Sequence, residues 1–335
     1  MKKEALFYGK NSNGDLVCGL CAHGCTIKDN SYGICGVRKN ENGVLYTLVY
    51  GDVIASHVDP IEKKPLYHFL PGTRSYSIAT VGCNFKCGFC QNWRISQVPK
   101  SGASGDGYEL MPAEVVRQAK AHGCKSISYT YTEPTIYFEY ALDTAKIAKK
   151  NGIYNVFVTN GYMTAQALDT VTPYLDAANV DLKAFTEGFY RDKCKAGLEP
   201  VKNTIMRMKE KGIWVEVTTL LIPGENDSDE EISQLAGFIA GIDKGMPWHI
   251  SRFHPDYQFT DHAYTPVTRL KSAKEIGHQK GLHHVYLGNI MEGNDTLCDK
   301  CHELLIRRDY MSSKVMGMDN GKCGSCKNKI NGIWG

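Results

Sequence analysis

The chain has 335 residues, of which 42% are hydrophobic and 22% charged, a composition typical of a globular protein with one large domain and smaller appendages. Its formal net charge of +3 is too small to indicate a nucleic-acid partner. It has no apolar run of membrane-spanning length, and Met1-Lys-Lys-Glu is not followed by the apolar segment of a signal peptide. We therefore expect a cytoplasmic protein without membrane contact.

The chain contains thirteen cysteines, and eleven of them fall into three short groups. Cytosolic thiols are kept reduced, so metal ligation accounts for these groups better than disulfides do. Cys124 and Cys194 lie outside the groups.

Residues 1–72 form the first predicted unit, a Cys-rich metal-binding segment. Cys18, Cys21, Cys25 and Cys35 supply four thiolates among several glycines, which predicts either a closed zinc site or an auxiliary iron–sulfur cluster. Spacing alone does not separate the two metals. Zinc is favoured because the segment is short and polar and would shield a redox cluster poorly. A strand is predicted over 44–50, and an extended loop with two prolines over 59–68.

The second group has the spacing Cys83-x3-Cys87-x2-Cys90. Three thiolates can occupy three corners of an iron–sulfur cube and leave the fourth iron without a protein ligand. An open coordination position is typical of a reactive metal site rather than a structural one. Half a zinc site or a disulfide knot is the alternative, which the predicted strand before Cys83 disfavours.

Residues 73–290 alternate short apolar stretches with amphipathic ones, which predicts parallel β/α units. Six such units predict an α/β fold with an open, partial (β/α)6 TIM-like barrel, whose chemistry gathers at the carboxyl ends of its strands. A flexible loop is predicted over 99–107. Strands are predicted over 76–81, 126–131, 155–159, 178–182, 214–222 and 249–253, with 285–287 as a further candidate, and helices over 112–121, 134–150, from Ser228, and 268–281.

Residues 291–335 form a predicted tail with its own metal site. Cys298-x2-Cys301 and Cys323-x2-Cys326 have the spacing of a zinc ribbon, in which two pairs of thiolates close one tetrahedral site. Such a module folds because the metal binds, and we expect a structural or partner-binding role for it.

The Cys83–Cys90 spacing resembles that of the radical S-adenosylmethionine (SAM) superfamily. Over nearly its full length the chain also resembles one branch, the radical enzyme of the AmmeMemoRadiSam system, which is related to pyruvate formate-lyase activating enzyme. The closer match rests on Cys18-Gly-Leu-Cys21, Tyr50-Gly-Asp-Val, Asp59-Pro-Ile-Glu-Lys-Lys-Pro65, Phe69-Leu-Pro-Gly72 and Thr80-Val-Gly-Cys-Asn-Phe. The resemblance implies the same barrel, a [4Fe–4S] cluster that cleaves SAM reductively, oxygen sensitivity, and a one-electron donor such as flavodoxin or ferredoxin.

The resemblance also implies a set of residues around SAM. Glu133 would hold its amino group, or else simply begin the next helix. Asp181 and Lys183 share one face of a strand and would contact the cofactor, or else form a buried salt bridge. The chain departs from the family at Val158, where an aspartate is usual, and at Thr218, where the activases have arginine. The implied SAM-binding residues are Phe89, Asn92, Tyr131, Thr132, Glu133, Thr159, Asn160, Asp181, Lys183, Leu220 and His254, with Tyr131 and Thr132 replacing the glycines of the family.

Three functional hypotheses follow. The full-length resemblance favours a radical SAM enzyme that abstracts hydrogen from an unidentified substrate, with protein partners of the AmmeMemoRadiSam system. A glycyl-radical-enzyme activase is the first alternative. The second is a non-catalytic zinc protein whose Cys-rich ends bind other macromolecules. A polar aromatic loop over 256–264 is the candidate for substrate or partner contact, and no catalytic side chain is identified.

Overall fold

A computed structural model describes residues 1–97, 107–292, 294–309 and 311–335. The predicted flexible loop, except Gly107, lies outside these residues. The N-terminal segment folds into two antiparallel three-stranded sheets, and the strand predicted over 44–50 is present in a shorter form. Its strands are β1 (Lys3–Glu4), β2 (Tyr8–Lys10), β3 (Leu16–Cys18), β4 (Thr26–Ile27), β5 (Arg38–Glu41), β6 (Val44–Thr47) and β7 (Asp52–Val53).

The centre of the molecule is an eight-stranded, mostly parallel sheet. Its strands follow chain order across the sheet, and the edge strand at one end is antiparallel to its neighbour. One further short strand, Tyr108–Glu109, pairs with β7 instead. The strands of this region are β8 (Ala55–Pro60), β9 (Arg74–Ala79), β10 (Tyr108–Glu109), β11 (Ser126–Tyr129), β12 (Tyr154–Thr159), β13 (Ala177–Asp181), β14 (Trp214–Leu221), β15 (Trp248–Arg252) and β16 (Val285–Gly288).

All six predicted strands of the sheet are present, with small shifts at their ends, and β16 confirms the further candidate. The extended loop predicted over 59–68 is wrong at its start. Asp59 and Pro60 end β8, because they pair with Ser75 and Arg74 on β9, and Ile61–Lys63 then form a 3-10 turn.

Helices connect successive strands of the sheet, as parallel pairing requires. Pro112 begins α2, and Ser228 caps α7 by accepting a hydrogen bond from the Glu231 backbone N–H at 3.2 Å. No helix in the described part of the chain is long and apolar enough to cross a membrane. The helices are α1 (Trp93–Ser96), α2 (Pro112–Ala121), α3 (Phe138–Lys150), α4 (Ala165–Val171), α5 (Glu187–Phe189), α6 (Glu199–Glu210), α7 (Asp229–Ile242) and α8 (Val267–Gln279).

The N-terminal segment shares its hydrophobic core with the main sheet. Leu20 and Val37 of that segment are buried in the same cluster of side chains as Ile78 on β9 and Phe85 in the loop that follows it. The N-terminal cysteines therefore lie against the loop that carries Cys83, rather than on a separate surface unit.

The C-terminal tail binds to the opposite end of the sheet, near the amino ends of β14 and β16. Leu70 N–H donates to the Ile333 carbonyl at 2.7 Å, and Ile333 N–H donates to the His68 carbonyl at 2.8 Å. Arg308 donates to the Tyr67 carbonyl at 2.6 Å. The tail strands are β17 (Thr296–Leu297), β18 (Leu304–Asp309), β19 (Ser312–Val315), β20 (Met318–Asp319) and β21 (Lys322–Cys323).

A buried polar network fixes this contact. The Glu216 carboxylate accepts hydrogen bonds from the Tyr67 and His68 backbone N–H groups at 3.0 and 2.8 Å, and from His249 Nε2 at 2.6 Å. His68 Nδ1 donates to the Asn331 carbonyl at 2.8 Å, so in a neutral imidazole Nε2 accepts from the Tyr286 hydroxyl at 2.7 Å. The neutral form of His68 therefore suits its partners.

Two buried histidines in this region make the stability of the fold sensitive to acid. Burial lowers the pKa of His68 well below its usual 6.5 and lowers the pKa of His284 to about 4. Below pH 6.5 the unfolded chain takes up protons that the folded chain excludes, so the free energy of unfolding falls as pH falls from 6.5 towards 4. Each such histidine contributes a slope of up to about 1.4 kcal/mol per pH unit.

We expect His284→Phe to reduce the dependence of the free energy of unfolding on pH by up to about 1.4 kcal/mol per pH unit, the contribution of one proton. Phenylalanine keeps the aromatic volume but does not titrate. Denaturant unfolding between pH 7 and pH 5 measures it. His122→Phe, at an exposed position, is the control and should keep the wild-type slope. An unchanged slope in His284→Phe would contradict the assignment.

Candidate functional site

The Cys83–Cys90 loop leaves the carboxyl end of β9 and runs into α1. Gly82 begins it with a φ of +100°, and a Cβ there would lie 2.8 Å from Val37 Cγ1 and 3.0 Å from the Cys35 carbonyl oxygen. Glycine is needed at this position for both its backbone conformation and the close approach of the N-terminal segment. Cys87 is buried, and Cys83 and Cys90 are half-buried.

Each of the three thiols has a polar neighbour. The Phe85 N–H donates to Cys83 Sγ at 3.3 Å. Ser96 Oγ lies 3.2 Å from Cys90 Sγ and accepts a hydrogen bond from Gln97 Nε2 at 3.1 Å. Since the Gln97 amide nitrogen can only donate, the Ser96 hydroxyl proton is free to point at Cys90 Sγ.

The neighbour of Cys87 is the thiol of Cys194, a buried residue that sequence reasoning left outside every site. It ends the π-helical turn Tyr190–Cys194. Its carbonyl accepts from the Lys86 N–H at 2.9 Å, and the Lys193 carbonyl accepts from the Gly88 N–H at 3.3 Å. The turn therefore holds both residues that flank Cys87. No motif in the sequence marks Cys194, because the contact is made only in the fold.

The thiols suit a cluster rather than a single ion. Burial raises the pKa of Cys83 well above its usual range, and contact with Cys194 together with burial does the same for Cys87. Such thiols ionise when a metal binds. Among the described residues only the C-terminal cysteines place three or more ligand atoms within 4.8 Å of one another. Cys83, Cys87 and Cys90 do not form such a compact group, and thiolates that ligate different irons of one cluster do not need to.

Glu133, Thr159 and Asn160 meet at the carboxyl ends of β11 and β12. The Glu133 carboxylate accepts from the Thr159 hydroxyl and the Asn160 N–H, both at 2.7 Å, and from the Thr135 N–H at 3.0 Å. Glu133 thus also caps the turn that follows it, the alternative role weighed from sequence. Asn160 Nδ2 donates to Asn84 Oδ1 at 2.8 Å and lies 3.8 Å from Cys83 Sγ. The structure brings these predicted residues to the cysteine loop.

Asp181 and Lys183 form the ion pair anticipated as their alternative role, with 2.9 Å between Lys183 Nζ and the Asp181 carboxylate. Burial lowers the pKa of Lys183, but the Asp181 carboxylate and the nearby Cys87 and Cys194 outweigh it, and the pKa is raised well above its usual range. Lys183 Nζ also lies 5.9 Å from the centre of the Phe89 ring. A permanently charged ammonium group therefore stands beside the cysteine loop.

Tyr131 and Thr132 donate hydrogen bonds to other parts of the protein. The Tyr131 hydroxyl donates to Asp59, whose carboxylate also binds Lys64 at 2.7 Å. Thr132 donates to the Thr80 carbonyl at 2.8 Å. The Lys64 side chain is only 1% exposed, so its ammonium group is paired with Asp59 in the interior rather than solvated.

The remaining predicted SAM-binding residues are Phe89, Asn92, Leu220 and His254. Phe89 is buried against Phe189 and Phe259. Asn92 is exposed, and Leu220 is half-buried. His254 lines a cavity of about 530 Å³ together with Gln91, the residue after Cys90. The polar aromatic loop over 256–264 reaches the cysteine loop, where the Gln258 N–H donates to the Gly88 carbonyl at 3.0 Å.

The C-terminal cysteines form a compact group at the far end of the molecule. The sulfur atoms of Cys298 and Cys326 lie 3.6 Å apart, as do those of Cys301 and Cys323. Four thiolates at about 2.3 Å from one tetrahedral zinc ion would be about 3.8 Å apart. The donor set and its spacing therefore fit zinc.

Comparisons with known proteins extend these observations. A family model described as the radical SAM superfamily matches residues 77–236. An uncharacterised protein of Methanocaldococcus jannaschii is 43% identical over 333 residues, which cover 98% of each chain. The pyruvate formate-lyase-activating enzyme of Clostridium pasteurianum is 23% identical over 51% of this chain and 71% of that enzyme. The crystal structure of a radical SAM methyltransferase from Sphaerobacter thermophilus superposes with a TM-score of 0.51 at 17% identity, over 65% of this chain and 67% of that one, and this likeness concerns the fold alone.

We expect Glu133→Gln to lower the free energy of unfolding by about 2–3 kcal/mol. The amide nitrogen of glutamine cannot accept a hydrogen bond, so at least one buried donor to the Glu133 carboxylate would lose its acceptor. Denaturant unfolding measures it. Glu187→Gln is the matched control, since that exposed carboxylate also accepts from backbone N–H groups, of Leu198 and Glu199. Equal stability of the two variants would contradict a joining role for Glu133.

Proposed function

The chain belongs to the radical SAM superfamily, and we propose that Cys83, Cys87 and Cys90 hold a [4Fe–4S] cluster with SAM at its fourth iron. When bound, these groups supply reductive cleavage of SAM to a 5'-deoxyadenosyl radical that abstracts hydrogen from a substrate carbon. The observation that carries the proposal is the convergence of the three-cysteine loop with Asn160 and Lys183 at one rim of the sheet. Asn160 Nδ2 lies 3.8 Å from Cys83 Sγ, and Lys183 Nζ lies 5.9 Å from the centre of the Phe89 ring. We further propose that the sheet curves as a partial (β/α)6 barrel.

The side chains around the loop have separate roles in this proposal. One Glu133 oxygen accepts only the Asn160 N–H, so it retains capacity for the amino group of SAM. The Lys183 ammonium, held by Asp181, is placed for the carboxylate of SAM. The Thr218 hydroxyl opposite Asp181 is buried and lacks a hydrogen-bond partner among the described residues, so it can accept or donate to a bound group. Thr159, Leu220 and His254 complete the rim.

We propose an unidentified substrate, reached with AmmeMemoRadiSam-type protein partners and an electron donor such as flavodoxin or ferredoxin. The match to a pyruvate formate-lyase-activating enzyme supports the alternative of a glycyl-radical activase. Two residues argue against assigning a glycyl-radical enzyme as the substrate. They are Val158 and Thr218, where the resemblance leads us to expect an aspartate and an arginine. Both hypotheses share one cofactor chemistry and differ in the hydrogen donor.

The C-terminal tail, residues 291–335, is proposed as a structural zinc module. Its hydrogen bonds to His68 and Leu70 support a role in closing the amino end of the sheet rather than in capturing other macromolecules. This weakens the hypothesis of a non-catalytic zinc protein, which needs the tail for binding partners. Residues 1–72 and 73–290 remain the proposed boundaries of the other two units.

The assay is production of 5'-deoxyadenosine from SAM by anaerobically prepared, reduced protein. We expect the wild type to form it and Cys83→Ala with Cys87→Ala to lose it, while zinc at the tail stays. Cys124→Ala, a buried cysteine of no group, is the control and should stay active. Full SAM cleavage by the double variant would overturn the ligand assignment, and wild-type protein with zinc but no iron would overturn the radical chemistry.

We expect Ser96→Ala to lower the reduction potential of the cluster, because a hydrogen bond to a ligand sulfur stabilises the reduced state. A fall of about 59 mV would correspond to a tenfold smaller ratio of reduced to oxidised cluster. A redox titration followed by electron paramagnetic resonance measures it, and Ser96→Thr should restore the potential. Ser126→Ala is the control, since that buried hydroxyl has no partner among the described residues. Equal potentials in Ser96→Ala and wild type would refute the hydrogen bond.

A further inference from the structure

The N-terminal cysteines Cys18, Cys21, Cys25 and Cys35 are not explained by the proposed chemistry. The sequence favours zinc for them, because a short polar segment would leave a redox cluster unshielded. In the structure Cys18 and Cys35 are 6% and 8% exposed and belong to the main hydrophobic core. Cys21 and Cys25 are half-buried, so two of the four thiols are shielded from solvent and two are partly shielded.

The spacing of these four thiols differs from that of the tail cysteines. The tail thiols lie within 4.8 Å of one another, as a single zinc ion requires, but among the described residues no three N-terminal cysteines do. Thiolates around an iron–sulfur cluster are spread more widely than thiolates on one ion, because several metal atoms lie between them. Among the described residues neither the N-terminal cysteines nor Cys83, Cys87 and Cys90 form such a compact group, so neither set has the geometry of a single zinc site.

A buried cation stands beside the N-terminal group. Arg38 donates to Cys18 Sγ at 3.3 Å and to the Leu6 carbonyl at 3.2 Å, and its other nitrogen pairs with buried Glu139. A thiolate-bound cluster carries net negative charge, and hydrogen bonds to its sulfurs are one of the means by which proteins set its potential.

The N-terminal group also touches the residues on either side of Cys83. The Cys35 carbonyl faces Gly82, and His23 Nε2 donates to the Asn84 carbonyl at 2.8 Å. Cys21 forms a β-bridge with Met163, close in sequence to Asn160. A redox group in this position would be a direct neighbour of the loop that holds the first cluster.

We propose that Cys18, Cys21, Cys25 and Cys35 hold a second, redox-active iron–sulfur cluster beside the first. The proposal rests on the proposed function for the neighbouring site. It places the new cluster to take one electron from a low-potential flavin or iron–sulfur donor and pass it to the first cluster, a transfer in which no bond forms or breaks.

Metal and sulfide analysis of the full-length protein tests the proposal. For two four-iron clusters and one zinc ion we expect about eight iron, eight sulfide and one zinc per chain. A variant with alanine at Cys83, Cys87 and Cys90 should keep iron with equimolar sulfide, and reduction should give it a paramagnetic signal. The same variant with no iron and about two zinc ions per chain would overturn the proposal.

A single substitution covers the case in which the triple variant does not fold. Cys25→Ser, at a half-buried member of the group, should lose the iron of one cluster and keep the zinc. Loss of one zinc with all iron retained would overturn the second cluster. If the wild type contains iron and the triple variant contains none, this inference is refuted and the proposed function stands. If the triple variant retains all the iron of the wild type, the first site is refuted instead.

Discussion

The buried carboxylate of Glu133 joins the carboxyl ends of two neighbouring parallel strands, and the geometry of the site depends on that junction. It fixes Thr159 and the Asn160 backbone, and the Asn160 side chain then reaches the loop of Cys83. Burying a carboxylate is costly unless donors surround it, and here the donors come from two segments of chain, at Thr135 and at Thr159–Asn160. The carboxylate positions the cysteine loop relative to the sheet.

The amino and carboxyl ends of the sheet differ in whether their buried polar groups already have partners. At the amino end, Glu216 and His68 satisfy one another and the C-terminal tail in a closed polar network. At the carboxyl end, the Lys183–Asp181 pair and the Thr218 hydroxyl, which has no hydrogen-bond partner in the described part of the chain, leave polar groups available to a ligand. The closed network stabilises the frame, and the open end provides the chemistry.

The sequence predicted the features that depend on local pattern. The cysteine groups, the six strands and the capped helix at Ser228 follow from spacing, alternation and end residues, and the structure confirms these strands and this helix. The helices α4 and α6 were not predicted, although the sequence carries a signal for α6. Its buried residues Val201, Thr204, Ile205 and Met208 recur at helical spacing on one face. Cys194, Ser96 and the buried Lys64–Asp59 pair could not be predicted, since each acquires its role through a packing contact that no local pattern marks. The placement of SAM around the loop stays a prediction.

We propose that one iron of the cluster on Cys83, Cys87 and Cys90 has no protein ligand. Mössbauer spectroscopy of the iron-labelled protein, recorded with and without SAM, measures this. We expect SAM to change the signal of a single iron site and to leave the other sites unaltered. A spectrum that SAM does not change would contradict it.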